Sequence, residues 1–134
     1  MLKVTCAIIE DNERKVLAAQ RSAKMDLPYK WEFPGGKLEK NESPEECLKR
    51  EIEEELSIEV EIVRPLDLVE HSYPNKDILL IPYVCSVVKG AIGLKEHRAF
   101  KWLEPEELND LDWAEADIPV LHNYLLERCK MEDS

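Results

Sequence analysis

Arg50, Glu51, Glu54 and Glu55 bring three carboxylates and a guanidinium into less than two helical turns of this chain. At 3.6 residues per turn the three carboxylates share an arc of roughly 100°. That is an unfavourable way to build a helix. Glu51 repels Glu54 and Glu55 at contact spacing, at about 0.2–0.5 kcal/mol per pair. All three also crowd the helix's C-terminal half, where the macrodipole favours cations. A bound hard cation is the simplest compensation. Carboxylate oxygens suit Mg²⁺, with Mn²⁺ as an alternative, and Mg²⁺ completes its shell with water and substrate phosphates. The competing reading is a solvated acidic face on an acidic protein.

The element that must hold these groups is legible. Ser43 is placed as N-cap, Pro44 as first helical residue, and Glu46 closes a Ser-x-x-Glu capping box. Leu48, Ile52 and Leu56 repeat every fourth residue and form one apolar stripe. Upstream, Trp31-Glu32-Phe33 alternates into Pro34-Gly35-Gly36, where two glycines are expected to turn the backbone tightly and approach a ligand closely.

From Gly36 to Ile58 the residues follow a family pattern: Gly36, Glu42, Arg50, Glu51, Ile52, Glu54, Glu55, Ser57, Ile58. This resembles the Nudix hydrolase signature, and WEFPGGKLE from Trp31 to Glu39 looks like its MutT-type branch. Ser57 departs from the pattern, which has glycine there. A left-handed helix end costs a residue with a Cβ about 1 kcal/mol, so the substitution bears on the helix terminus more than on chemistry.

The resemblance implies an α/β fold, a Nudix-type α/β/α sandwich around a mixed, mostly antiparallel sheet, as a single domain over residues 1–134. It also implies site roles. Glu54 and Glu55 would be metal ligands, and Glu51 a ligand or the general base. Arg50 would orient Glu54 by a charge-assisted bond. The Gly36 carbonyl would join the metal shell, and Glu96 would supply a carboxylate from outside the helix. Arg21 would sit near phosphate or base, and Phe33 near the pocket. His97 is read as a satisfied polar residue.

Asp117 carries two readings. It looks like the N-cap of a last helix, with Pro119 in the first turn, a role worth about 1 kcal/mol. In MutT-like enzymes the start of this helix borders the base pocket. An ionised Asp only accepts hydrogen bonds. It would accept from guanine N1–H and amino group together or from the cytosine amino group, whereas thymine and uracil would present repelling carbonyls.

The whole chain bounds these readings. At 134 residues it suits one domain with a real core, and its 44% hydrophobic and 35% charged residues are those of a soluble globular protein. No apolar run reaches the ~18 residues of a membrane span. MLKVTCAIIE turns acidic too early for a secretory signal. A net charge of −11 argues against nucleic-acid polymers as partners. The cysteines Cys6, Cys47, Cys85 and Cys129 form no C-x-x-C pair, so reduced thiols and a cytoplasmic location are expected.

Patterning predicts strands at 3–10, 15–20, 58–64, 67–73, 77–88 and 98–103, with 58–88 as an antiparallel meander and Pro82 at an edge or bulge. The last helix is predicted from Asp117 to about Cys129, burying Ile118, Leu121, Leu125 and Cys129. The tail KMEDS is expected to fray.

The expected function is Mg²⁺-dependent hydrolysis of a nucleoside triphosphate, 8-oxo-dGTP or a cytosine nucleotide, to monophosphate and pyrophosphate. The protein would be a monomer or weak homodimer. The alternative is a non-catalytic Nudix domain that binds a nucleotide or a protein.

Overall fold

In the computed structural model, which describes residues 1–132, one mixed sheet is sandwiched between two helices. The strands are β1 (Leu2–Glu10), β2 (Val16–Gln20), β3 (Trp31–Glu32), β4 (Gly35–Lys37), β5 (Glu59–Pro65), β6 (Val69–Tyr73), β7 (Lys76–Lys89) and β8 (Ala99–Leu103). The helices are α1 (Pro44–Leu56) and α2 (Asp117–Glu132), with a 3₁₀ turn at Pro105–Asp110. β1 is central. It runs parallel to β7 and antiparallel to β2 and β4.

Alternation along β1 and β2 divides the apolar residues between the two faces of the sheet. Ala7, Ile9 and Leu17 meet Leu48, Ile52 and Leu56 of α1 on one face. Cys6, Ile8, Val16 and Ala18 meet Val120, Leu121 and Tyr124 of α2 on the other. This is the predicted arrangement of layers.

α1 begins as the sequence indicates. The Glu46 amide donates to Ser43 Oγ, and the Ser43 amide donates to the Glu46 carboxylate. It ends on Ser57 in the left-handed region, at φ 61°, with the Ser57 amide on the Glu53 carbonyl. The helix therefore closes as the family glycine would close it.

Several expectations are corrected. β5 and β6 do not form a meander. Both pair with β7, end to end along one edge: Val60 to Pro65 lie against Val87 to Tyr83, and Val69 to Tyr73 against Leu80 to Lys76. Pro82 falls at the junction between them. Its carbonyl accepts from Leu66 on that side, so its missing N–H leaves no gap in the β1 ladder. Gly35 and Gly36 do not turn; they lie in β4, paired with Cys6 and Thr5.

In α2 the buried residues are Asp117, Val120, Leu121, Tyr124 and Arg128, while Ile118 is 38% exposed and Cys129 is also exposed. The buried stripe is rotated because Arg128 is held inward, donating to Tyr124 Oη and to the Arg14 carbonyl. Residues 130–132 of the tail are helical, and the Arg128 bond to Glu132 secures that last turn. The rest of the tail lies outside the described residues.

Candidate active site

Arg50 is the hub of the α1 end. Its Nε and Nη2 donate to the two oxygens of Glu42 at 2.7 and 3.0 Å, and Nη1 donates to Glu51 at 2.9 Å and Glu54 at 3.2 Å. The expected bond to Glu54 is thus present, but the bidentate partner is Glu42, whose carboxyl the Arg50 guanidinium holds down at about 2. Glu54 is 60% exposed on the solvent side. Glu55 turns the other way, into a cleft of about 500 Å³.

The chain after β7 brings further groups to Glu55. The amides of Gly93 and Lys95 donate to the carbonyls of Leu56 and Glu55, at 2.9 and 3.2 Å. These bonds satisfy helix-end acceptors that would otherwise lack partners. They also set Glu96, exposed at the cleft rim, and buried His97 beside α1. Burial, reinforced by a hydrogen bond with Glu51 and by repulsion from Glu32, Glu51 and Glu96, pushes the Glu55 carboxyl up to about 9.

At the opposite end, the Trp31 amide donates to Asp112 and the Ala114 amide donates back to Trp31. The Ala116 amide donates to Tyr73 Oη. These bonds place Asp117 at the cleft, 6% exposed. Asp117 is itself the first residue of α2, and among the described residues no amide of that helix donates to its carboxyl. The capping role is not what the geometry shows. Burial first, then repulsion from Glu32, raise its carboxyl well above the usual range, against the opposing pull of Arg21 and the Phe33 amide.

A NUDIX domain model matches residues 1–124. The chain belongs to the Nudix family. The "CTP pyrophosphohydrolase" of Escherichia coli (strain K12) is 37% identical over 128 residues, covering 96% of this chain and 94% of that protein. The "8-oxo-dGTP diphosphatase" of Proteus vulgaris is 44% identical over 95 residues, covering 71% and 85%. The solution structure of the E. coli ORF135 protein superposes with a TM-score of 0.82 at 37% identity, covering 96% of this chain and 91% of that one. With this likeness to catalytic relatives, the protein is a hydrolase of the MutT type.

Of the Nudix residues singled out in sequence, the fold gathers Arg21, Phe33, Gly36, Glu55, Glu96 and Asp117 around one cleft. Arg50, Glu51 and Glu54 stay outside the lining, Glu51 packing directly against Gly36, where a Cβ would stand 2.3 Å from Glu51 Cδ. The Gly36 carbonyl already accepts from Thr5 Oγ1 at 3.2 Å and Cys47 Sγ at 3.6 Å. Arg21 donates through Nη1 to Glu32 at 2.6 Å and through Nε to the Asp26 carbonyl. Phe33 is core and cleft wall together, tilted on Trp113 with ring centroids 4.6 Å apart.

Sequence reasoning missed Glu32 and His97. Glu32 was visible only as the polar member of an alternating triplet. His97 carried no motif of its own.

Among the described residues no three acidic, thiol or imidazole groups form a ready-made ion cage. The donors nevertheless fit a Nudix metal. They are hard carboxylate oxygens, the Gly36 position leaves space for one of them, and the repulsion that adds to burial in raising the Glu55 carboxyl is what a divalent cation relieves.

Proposed function

We propose that the protein hydrolyses nucleoside triphosphates to the monophosphate and pyrophosphate, with Mg²⁺ held by Glu51, Glu55 and Glu96 and by Glu54 from the solvent side. The reading is carried by one juxtaposition: a single cleft has the carboxylates Glu55 and Glu96 at one end and buried Asp117, with Phe33, at the other. Its volume, about 500 Å³, suits a nucleotide-sized ligand. The relatives named for CTP and 8-oxo-dGTP hydrolysis support the substrate class.

Mg²⁺, when bound, would neutralise the polyphosphate and lower the pKa of a bound water. This chain's own residues do the rest. Arg50 orients Glu51 through a charge-assisted hydrogen bond, whether Glu51 serves as ligand or as base. Arg21, clamped by Glu32, offers a fixed cation along the cleft. Leu80, Val4 and Phe33 make an apolar wall that excludes water beside the base.

Burial favours the neutral form of Asp117. A protonated carboxyl both donates and accepts, so it pairs with the edge of guanine, cytosine or thymine alike. Rejection of thymine and uracil therefore rests on Asp117 being ionised when the nucleotide is bound; with Asp117 neutral, the choice among bases falls to the shape of the apolar wall. The test is a panel of oxidised and normal nucleotides at equal concentration, read by pyrophosphate release with and without Mg²⁺. We expect release that depends on Mg²⁺, with 8-oxo-dGTP or a cytosine nucleotide ahead. Tight nucleotide binding without any release would overturn the reading.

A further inference from the structure

We propose that His97 is a positioning residue for the hydrolytic reaction, fixing the Glu55 carboxylate at the metal end of the cleft and coupling it to Glu32 and Arg21 at the nucleotide end. The inference rests on the hydrolase reading of this cleft and adds a residue to it.

The His97 side chain is 1% exposed, and its ring lies between two carboxylates from different elements. Nε2 is 2.7 Å from Glu32 Oε2 on β3. Nδ1 faces Glu55 Oε2 on α1 at 3.7 Å, and has no hydrogen-bond partner. A buried polar nitrogen without a partner costs free energy, so its persistence needs an explanation. A small movement of Glu55 towards the ring closes this gap.

The ring cannot easily move instead. On one side its loop is tied to α1 by the Gly93 and Lys95 amides; on the other, the Arg98 amide donates to the Gln20 carbonyl. Glu32 is held from its far side by Arg21 at 2.6 Å. Arg21, Glu32, His97 and Glu55 thus stand in a row from the end of β2 to α1, with His97 buried behind the cleft-lining Glu32 and Glu55 and one open step between its Nδ1 and Glu55. A flexible glutamate gains catalytic precision when a rigid neighbour limits its rotamers, and partners of this kind typically matter 10- to 100-fold.

A merely space-filling His97 would contribute packing and nothing more. His97→Leu keeps most of the volume and removes both ring contacts. His97→Gln retains an amide able to donate to one carboxylate at a time. For each variant, Mn²⁺ affinity is measured by titration without nucleotide, and kcat and KM are measured at saturating Mg²⁺. We expect H97L to weaken Mn²⁺ affinity and lower kcat, each by about 10- to 100-fold, while KM stays nearly constant. H97Q should recover part of both losses.

If H97L keeps wild-type Mn²⁺ affinity and kcat while only its melting temperature drops, His97 is a packing residue and the proposal is overturned. Should H97L fail to fold, H97Q decides alone: reduced Mn²⁺ affinity supports positioning, and unchanged affinity overturns it. Failure of the hydrolase reading shows elsewhere, as absence of Mg²⁺-dependent pyrophosphate release from the wild-type protein.

Discussion

The two ends of the cleft use carboxylates in opposite ways. At the α1 end, acidic side chains are numerous, and Arg50 holds the Glu42 carboxyl down at about 2 while burial, reinforced by crowding, pushes Glu55 up to about 9. At the α2 end Asp117 is buried beside Phe33 and Cys6, and burial, with repulsion from Glu32, favours its neutral form. The first arrangement stores repulsion that a cation can relieve. The second favours a neutral carboxyl, which can both donate and accept a hydrogen bond. Chemistry at each end follows from environment more than from residue type, since all these groups are carboxylic acids.

The largest expected effects test the charged end. Chelation should abolish activity. Glu55→Gln should lower kcat by about 10²–10³-fold, as removal of a preorganised charge-stabilising group does. Without metal its melting temperature should hold or rise, because a buried, repelled carboxyl has been neutralised. Glu54→Gln should cost less, since Glu54 is exposed and outside the cleft lining. Equal losses in the two variants would break the distinction between an inward Glu55 and an outward Glu54.

Next come the adjacent glycines. A Cβ at Gly35 would stand 2.0 Å from the Thr5 carbonyl oxygen, which is backbone, whereas one at Gly36 meets the Glu51 side chain at 2.3 Å. Gly35→Ala should lose ~1–3 kcal/mol or more of stability. Gly36→Ala should keep most of its stability and lose turnover, because Glu51 must move aside. Thermal melting and kcat measured on both variants check this, and a Gly36→Ala protein with wild-type turnover would detach Glu51 from the chemistry.

The neutral end predicts a pH effect. Asp117 has a folded pKa raised well above 3.8, so the folded state binds its proton more tightly than the unfolded chain. Its contribution to stability is therefore greatest below that unfolded value and declines as pH rises towards the folded pKa. Asp117→Asn, which cannot ionise, should match wild type near pH 4 and become relatively more stable as pH rises, by up to about 1.4 kcal/mol per unit. Melting curves of both proteins across pH supply the check; parallel curves would mean that Asp117 is ionised throughout.

The smallest effect concerns base choice. If Asp117 is neutral, Asp117→Asn preserves one donor and one acceptor, and the nucleotide ranking should change little. A reordered ranking in the substrate panel would show that an ionised Asp117 reads the base after all.

What the sequence determined by itself is local. The capping box, the apolar stripe of α1 and the spacing of Arg50, Glu51, Glu54 and Glu55 depend on helical periodicity, which short-range spacing encodes. Alternation in β1 and β2 likewise assigned residues to the two faces. Tertiary structure decided everything that depends on distant segments meeting. Arg50 takes Glu42 as its bidentate partner, while keeping a bond to Glu54, because the turn before α1 folds back onto it. Gly35 and Gly36 lie in a strand beside β1, where a side chain at Gly35 would meet the β1 backbone and one at Gly36 would meet Glu51 of α1. β5 and β6 share β7 because that strand is long enough to pair with both. Asp117 read as a cap because capping is a local pattern, yet its protonation depends on walls from β1, β3 and β7 that no local window contains. His97 and Glu32 were silent for the same reason: their significance is a 2.7 Å contact across 65 residues of chain.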